Sequence, residues 1–130
     1  MSAGATPSRA RPETDTPLRN ALRAPGPVRF ELAEQRGEDA TILRLDGELD
    51  VLTAPRLTAR LDDAVRQGRG EVIVDLSAVD FIDSAGLHVL LNAQRRLIRL
   101  SRRLRVICQP GPVRRVFELA RLVETLGVGG

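Results

Sequence analysis

Between residues 28 and 45 the apolar positions alternate. In "VRFELAEQ", Val28, Phe30 and Leu32 fall on one face of an extended chain, and "ATILRL" repeats the pattern after the turn residues "RGED". Period-two alternation broken by a turn predicts an antiparallel hairpin. "DGELD", which follows, predicts a loop. The period then changes. Leu57, Leu61, Ala64 and Val65 form a stripe at helical spacing. Thr53 is a candidate cap for this helix, Pro55 lies in the first turn where its missing N–H costs little, and Gly68 is a candidate stop. "EVIVDL" at 71–76 is a short apolar run bounded by Gly70 and Ser77, which predicts a strand buried on both faces. After a connecting stretch at 77–84, Leu87, Leu90, Leu91, Gln94, Leu97 and Ile98 recur at helical spacing. "LRVICQ" predicts another buried strand. Val113, Val116, Phe117 and Ala120 predict the inner face of a last helix beyond Pro110, Gly111 and Pro112.

The order is strand, strand, helix, strand, helix, strand, helix. Strands alternating with helices predict an α/β domain with right-handed crossovers. The expected architecture is a mixed, mostly parallel four-stranded sheet led by an antiparallel hairpin, with about three flanking helices, spanning 28–130. Residues 1–27 hold five of the eight prolines, few large apolar residues and no periodicity. They predict a disordered or loosely ordered tail, free for docking or simply solvated.

Composition narrows the function classes. A chain of 130 residues suits one domain, and 42% hydrophobic residues can build its core. Aromatic residues are only three Phe, so the core must be Leu, Val, Ile and Ala, and stacking on bases or sugars is poorly served. All twenty basic residues are Arg, against seventeen acids. The small net charge of +3 and the missing aromatics argue against a direct nucleic-acid partner. The lone Cys108 excludes an intramolecular disulfide and, within an apolar strand, reads as a buried, inert thiol. No apolar run approaches the roughly 20 residues of a membrane span, and no signal peptide is legible. The expectation is a cytoplasmic protein without a membrane partner, monomeric when free.

Six Arg crowd between positions 95 and 105 in "RRLIRLSRRLRV". One reading is the solvated face and end of the second helix, where cations favour the negative pole of the dipole. The other is an electrostatic patch for an acidic partner or for nucleic acid.

The chemistry concentrates in "DFIDSAGLHVLL" at 80–91, where Asp83, Ser84 and His88 lie close together. Functional loops of such sheets gather at the carboxyl ends of strands. "DGELD" leaves the second strand at that same end, so Asp50 approaches Ser84 if the two strands are neighbours. Ser84 has three readings. As an N-cap, its hydroxyl accepts a first-turn N–H, with Gly86 allowing close packing. As a nucleophile it would need Asp83 to orient His88 while His88 reaches Ser84. Adjacent Asp83 and Ser84 point different ways at a helix start, and no nucleophile-elbow motif is present. As a phosphoacceptor, its phosphate would meet free N–H groups and the positive end of the helix dipole, while repelling a docked partner.

Two stretches add what spacing does not supply. "VIVDLSAVDFIDSAGLHVLL" resembles the signature of STAS domains, in particular of bacterial anti-sigma factor antagonists, and "LRLDGELDVLTAPRL" resembles the loop and first helix of that family. The resemblance covers about Val28 to Leu126. It implies a binding switch and not an enzyme. The unphosphorylated protein would bind an anti-sigma factor that is also a serine kinase, releasing a sigma factor. Phosphorylation at Ser84 would end that binding, and a PP2C-type phosphatase would reset it. Ala85 stands where the family often has a second hydroxyl, so Ser84 is the implied acceptor. Asp50, Asp83, Ala85, Gly86, Leu87 and His88 are the implied partner-binding residues. No cofactor and no metal is implied. A further C-terminal helix common in the family has no counterpart in "LGVGG", which predicts apolar surface that must be covered otherwise. The alternatives are a non-switching STAS scaffold or transport accessory protein, and a small serine hydrolase.

Overall fold

The computed structural model describes residues 29–130; Val28 and the expected tail lie outside the described residues. The strands are β1 (Phe30–Arg36), β2 (Ala40–Leu49), β3 (Glu71–Ile82), β4 (Leu104–Ile107) and β5 (Val128–Gly129). The helices are α1 (Ala54–Gln67), α2 (Ser84–Arg99) and α3 (Pro112–Leu119). The sheet order is β1-β2-β3-β4-β5. β1 and β2 pair antiparallel, and every later pair is parallel. Alternating strands and helices thus form one mixed sheet, as the pattern predicts.

The core forms where the two periodicities meet. Leu43 and Leu45 of β2 and Val72 and Val74 of β3 join Leu57 and Leu61 of α1, Leu90 and Leu97 of α2, and Phe117 of α3 in one buried cluster. Each fully buried side chain of this kind contributes about 1.5–3 kcal/mol. Aliphatic packing therefore holds the helices to the sheet, as an aromatic-poor composition requires.

Four boundaries differ from the sequence expectation, each for a local reason. "DGEL" is strand and not loop. Asp46 and Glu48 are half-buried while Gly47 and Leu49 are buried, so the alternation simply continues. Gly47 is required there. Its φ is +117, and a Cβ would lie 2.1 Å from the Arg29 carbonyl oxygen. β3 runs on to Ile82 where a connecting stretch is expected. Its pairing with β2 steps from Arg44↔Asp75 to Asp46↔Ala78, and from Gly47↔Val79 to Glu48↔Phe81. β3 inserts an extra residue at each step, and such bulges erase the period-two signal.

At the other end α3 stops at Leu119. Ala120, expected to face inward, is exposed, as is Leu119 at 74%. The following segment folds back. The Leu122 N–H donates to the Phe117 carbonyl at 2.9 Å, Leu126 is fully buried, and Val128–Gly129 pairs with β4 as a fifth strand. The surface expected to lack a helical cover is therefore covered by this segment, and the sheet has five strands instead of four. Gln94 fixes the arrangement. Its buried amide donates to the carbonyls of Leu104 (3.3 Å) and Thr125 (2.8 Å) and accepts the Leu104 N–H at 2.9 Å.

Candidate functional site

Parallel pairing sets Leu49 of β2 beside Ile82 of β3, and the Asp83 N–H donates to the Leu49 carbonyl at 3.2 Å. Both strands end there. The segment that carries Asp50 and the segment that carries Asp83 and Ser84 thus leave the sheet side by side at its carboxyl edge.

Asp83, and not Ser84, is the N-cap of α2. Its backbone is extended (φ −122) and its carboxylate accepts the N–H groups of Ala85 at 2.9 Å and Gly86 at 3.4 Å. Both residue types suit a cap, but a carboxylate also complements the helix dipole. Ser84 is displaced to the first helical position, where it is exposed and makes no side-chain hydrogen bond among the described residues. The two N–H groups expected to be free for a phosphate are already held by Asp83.

Gly86 is buried for a packing reason. A Cβ there would come within 2.8 Å of Leu49 Cγ and 2.9 Å of Ile82 Cγ1. The absent side chain lets the first turn of α2 lie directly on the ends of β2 and β3, which fixes Ser84 relative to both strands. Leu87 packs partly against the core, whereas His88 is exposed. Among the described residues no hydrogen bond joins His88 to Ser84 or Asp83. The Asp83 carboxylate is turned to the backbone, so the triad geometry is not assembled.

Asp50, which the resemblance implies to be a partner-binding residue, lies below the surface. It is fully buried. Its carboxylate accepts the N–H groups of Leu52 (2.9 Å) and Thr53 (3.1 Å), and its own N–H donates to Thr53 Oγ1 at 2.9 Å. The Thr53 hydroxyl donates to the Glu48 carbonyl at 2.8 Å and makes no cap bond to α1. Asp50 and Thr53 thus tie the exit of β2 to the start of α1 beneath the surface. The acids that do reach the surface nearby are Asp46 and Asp80, and Arg29 pairs with both.

The STAS domain family model matches residues 31–128. The chain belongs to the STAS domain family. A similar protein is the anti-sigma-F factor antagonist RsfB of Mycobacterium tuberculosis, 29% identical over 104 residues, 80% of this chain and 83% of that one. Another is BtrV of Bordetella bronchiseptica, provisionally named an anti-sigma factor antagonist, 38% identical over 100 residues, 76% of this chain and 85% of that one. Among solved structures, the anti-sigma factor antagonist SpoIIAA in its unphosphorylated form matches with a TM-score of 0.66 at 25% identity, covering 78% of this chain and 89% of that one. The phosphorylated form of SpoIIAA, a Bacillus cell fate determinant, matches with a TM-score of 0.60 at 25% identity, covering 78% and 92%.

Elsewhere in this STAS domain the arginine-rich segment divides by role. Arg102 donates to the carbonyls of Val65 (2.8 Å), Gly70 (2.9 Å) and Ala64 (3.1 Å), so it closes the end of α1 from a different element. Arg96 pairs with Asp62 of α1, and Arg105 pairs with Glu71 at 2.9 Å. Arg95, Arg99 and Arg103 make no ion pair among the described residues. Cys108 is buried, and burial pushes its thiol above the ordinary range, with Arg114 opposing and Asp75 adding to the shift. No helix among the described residues is long and apolar enough to cross a membrane. No cluster of three or more His, Cys, Asp or Glu among them is placed to hold a metal ion.

Proposed function

We propose that this STAS domain is an anti-sigma factor antagonist, a binding switch and not an enzyme, controlled by phosphorylation of Ser84. In the unphosphorylated form it binds an anti-sigma factor with serine kinase activity and so releases a sigma factor in the cytoplasm. The kinase modifies Ser84, the complex parts, and a PP2C-type phosphatase restores the free hydroxyl. The observation that carries this reading is the exposed Ser84 hydroxyl, held clear of the helix by the Asp83 cap, in a chain whose relatives bear the antagonist name. SpoIIAA, solved in unphosphorylated and phosphorylated forms, supports it.

The docking patch in this reading is Ser84 and His88 with the half-buried Asp83, Ala85 and Leu87. Asp50 and Gly86 lie beneath it and hold its shape. Phosphate adds about −1.5 to −2 charges beside the Asp83 carboxylate. A partner closing over that patch would have to strip water from both groups, so binding weakens without any change of fold.

Protein recovered from its host tests this by intact mass and peptide mapping across residues 70–95. Phosphate on Ser84 in part of the population is expected. With the anti-sigma factor in hand, Ser84→Ala should stay bound in the presence of ATP, and Ser84→Asp should bind more weakly. A chain unmodified under every growth condition tried, with Ser84→Asp bound as tightly as wild type, would instead favour a non-switching scaffold or transport accessory role.

A further inference from the structure

We propose a second docking surface at the pole opposite Ser84, formed by the end of α2 and the α2–β4 turn, for an acidic protein segment that carries aliphatic side chains. Ser84 opens α2 and Arg99 closes it, 16 residues in all, so the helix spans about 24 Å between the two poles at 1.5 Å rise per residue.

Three features of the far pole point to a partner. First, Ile98 is 60% exposed and Leu100 53% exposed, two of the three large apolar residues left in water among the described residues. Second, three arginines close to them in the chain make no ion pair among the described residues. Arg95 donates only to the neutral Asn92, and Arg99 and Arg103 are exposed without an ion pair among the described residues. Within the arginine-rich segment the other three, Arg96, Arg102 and Arg105, are all engaged, so the charge that this segment leaves unpaired among the described residues lies here. Third, the platform is stiff and adjoins a recess. Ser101 holds a left-handed φ of 60, and the Arg102 N–H donates back to the Leu97 carbonyl at 2.8 Å, a tight helix-closing turn. Ile98 lines a recess of about 620 Å³ beside it, where Arg102, Arg103 and Arg105 outnumber Glu71 and Glu124.

Exposed aliphatic side chains interspersed with unpaired arginines at one helix end combine the two ingredients of an interface, apolar contact and charge. The charge is cationic, so its complement is acidic. Side chains that could stack on bases are lacking at this pole: there is no Tyr or Trp, Phe30 and Phe117 are buried, and the half-buried Phe81 lies at the carboxyl end of β3, on the Ser84 side. A protein segment is therefore favoured over nucleic acid. Because the patch lies a helix length from Ser84, a partner held there stays attached whichever state Ser84 is in. The surface works as a tether independent of the switch.

The test uses the full chain, isotope-labelled for amide NMR, and a fluorescent acetylated peptide alternating Glu and Leu. Controls are a Glu-Ser peptide, a Lys-Leu peptide, a single-stranded oligonucleotide and vesicles containing phosphatidylglycerol. The Glu-Leu peptide should shift amide signals of residues 98–105 and leave those of 83–88 in place. Combined Arg99→Glu and Arg103→Glu should weaken it on the order of tenfold or more, as expected for reversing charges at a binding surface. Ile98→Ser should weaken it at unchanged charge, and Ser84→Asp should leave it unchanged. That last result separates this surface from the proposed switch, since either can fail alone. The proposal is overturned if the Glu-Leu peptide does not bind, or if the Glu-Ser peptide binds equally well. It is also overturned if the oligonucleotide or the vesicles prove the tighter arginine-dependent ligands. Circular dichroism of each variant separates lost binding from lost fold.

Discussion

Asp83 and Gly86 show how little freedom the first turn of α2 has. The Asp83 carboxylate holds two N–H groups that would otherwise lack a partner, and caps of this kind are worth about 1 kcal/mol. Asp83→Ala should therefore lower stability by about that amount in urea unfolding, and Asp83→Asn should lose less because the amide oxygen can still accept. Gly86→Ala sets two effects against each other. Alanine favours a helix by up to about 1 kcal/mol over glycine. The new methyl, however, would press on Leu49 and Ile82, which are 0% and 4% exposed and have no room to move. Overpacking a tight core costs about 1–3 kcal/mol, so the net effect should be destabilising. A Gly86→Ala protein more stable than wild type would show that the ends of β2 and β3 yield more readily than their burial implies.

At the scale of elements, Arg102 does for α1 what no residue of α1 does. Three carbonyls at the α1–β3 connection accept from one guanidinium. Arg102→Ala removes these bonds; a single hydrogen bond to a charged group contributes about 1.5–3 kcal/mol when buried, and much less where, as here, water can replace the guanidinium. A loss of about 1–2 kcal/mol is expected, against almost none for the exposed Arg103→Ala. Paired thermal unfolding curves check the contrast, and equal midpoints for the two variants would sink it. Sequence alone gives no means of ranking these neighbours. Periodicity reports which face of an element is apolar, and it places all three helices and the first four strands. It also shows that Asp83, Ser84 and Gly86 sit at a helix start beyond a strand. Three features stay hidden because they depend on residues distant in the chain. Arg102 reaches back to α1, Gln94 grips Thr125, and the bulges of β3 exist only against β2. Sequence does not separate Asp83 from Ser84 as the cap, because a shift of one residue leaves the apolar stripe of α2 unchanged. Nothing in "DGELD" marks the Asp50 carboxylate as satisfied by the backbone that follows, so its burial is not legible there either.

For the whole molecule, these bonds decide what a modification can change. The switch proposed at Ser84 is local because its surroundings are already satisfied. Asp83 occupies the N–H groups of Ala85 and Gly86, Gly86 is wedged on Leu49 and Ile82, and Asp50 is sealed in its own turn. A phosphate on Ser84 gains from the helix dipole and loses to the neighbouring Asp83 carboxylate. Each term is below about 1 kcal/mol at an exposed site, so they nearly cancel. Phosphorylation should then leave the unfolding midpoint within about 2 °C of the unmodified protein, since 1 kcal/mol moves a domain of this size by only a few degrees. Amide signals should change around residues 83–89 and stay fixed in β4 and at the end of α2. Stoichiometrically phosphorylated protein, compared with unmodified protein by calorimetry and amide NMR, measures both. A large shift in midpoint, or changes spreading to β4, would mean that phosphate displaces the Asp83 cap and loosens α2 along its length. The switch would then act through the fold and not through charge at a docking patch, and the far pole would no longer be independent of it.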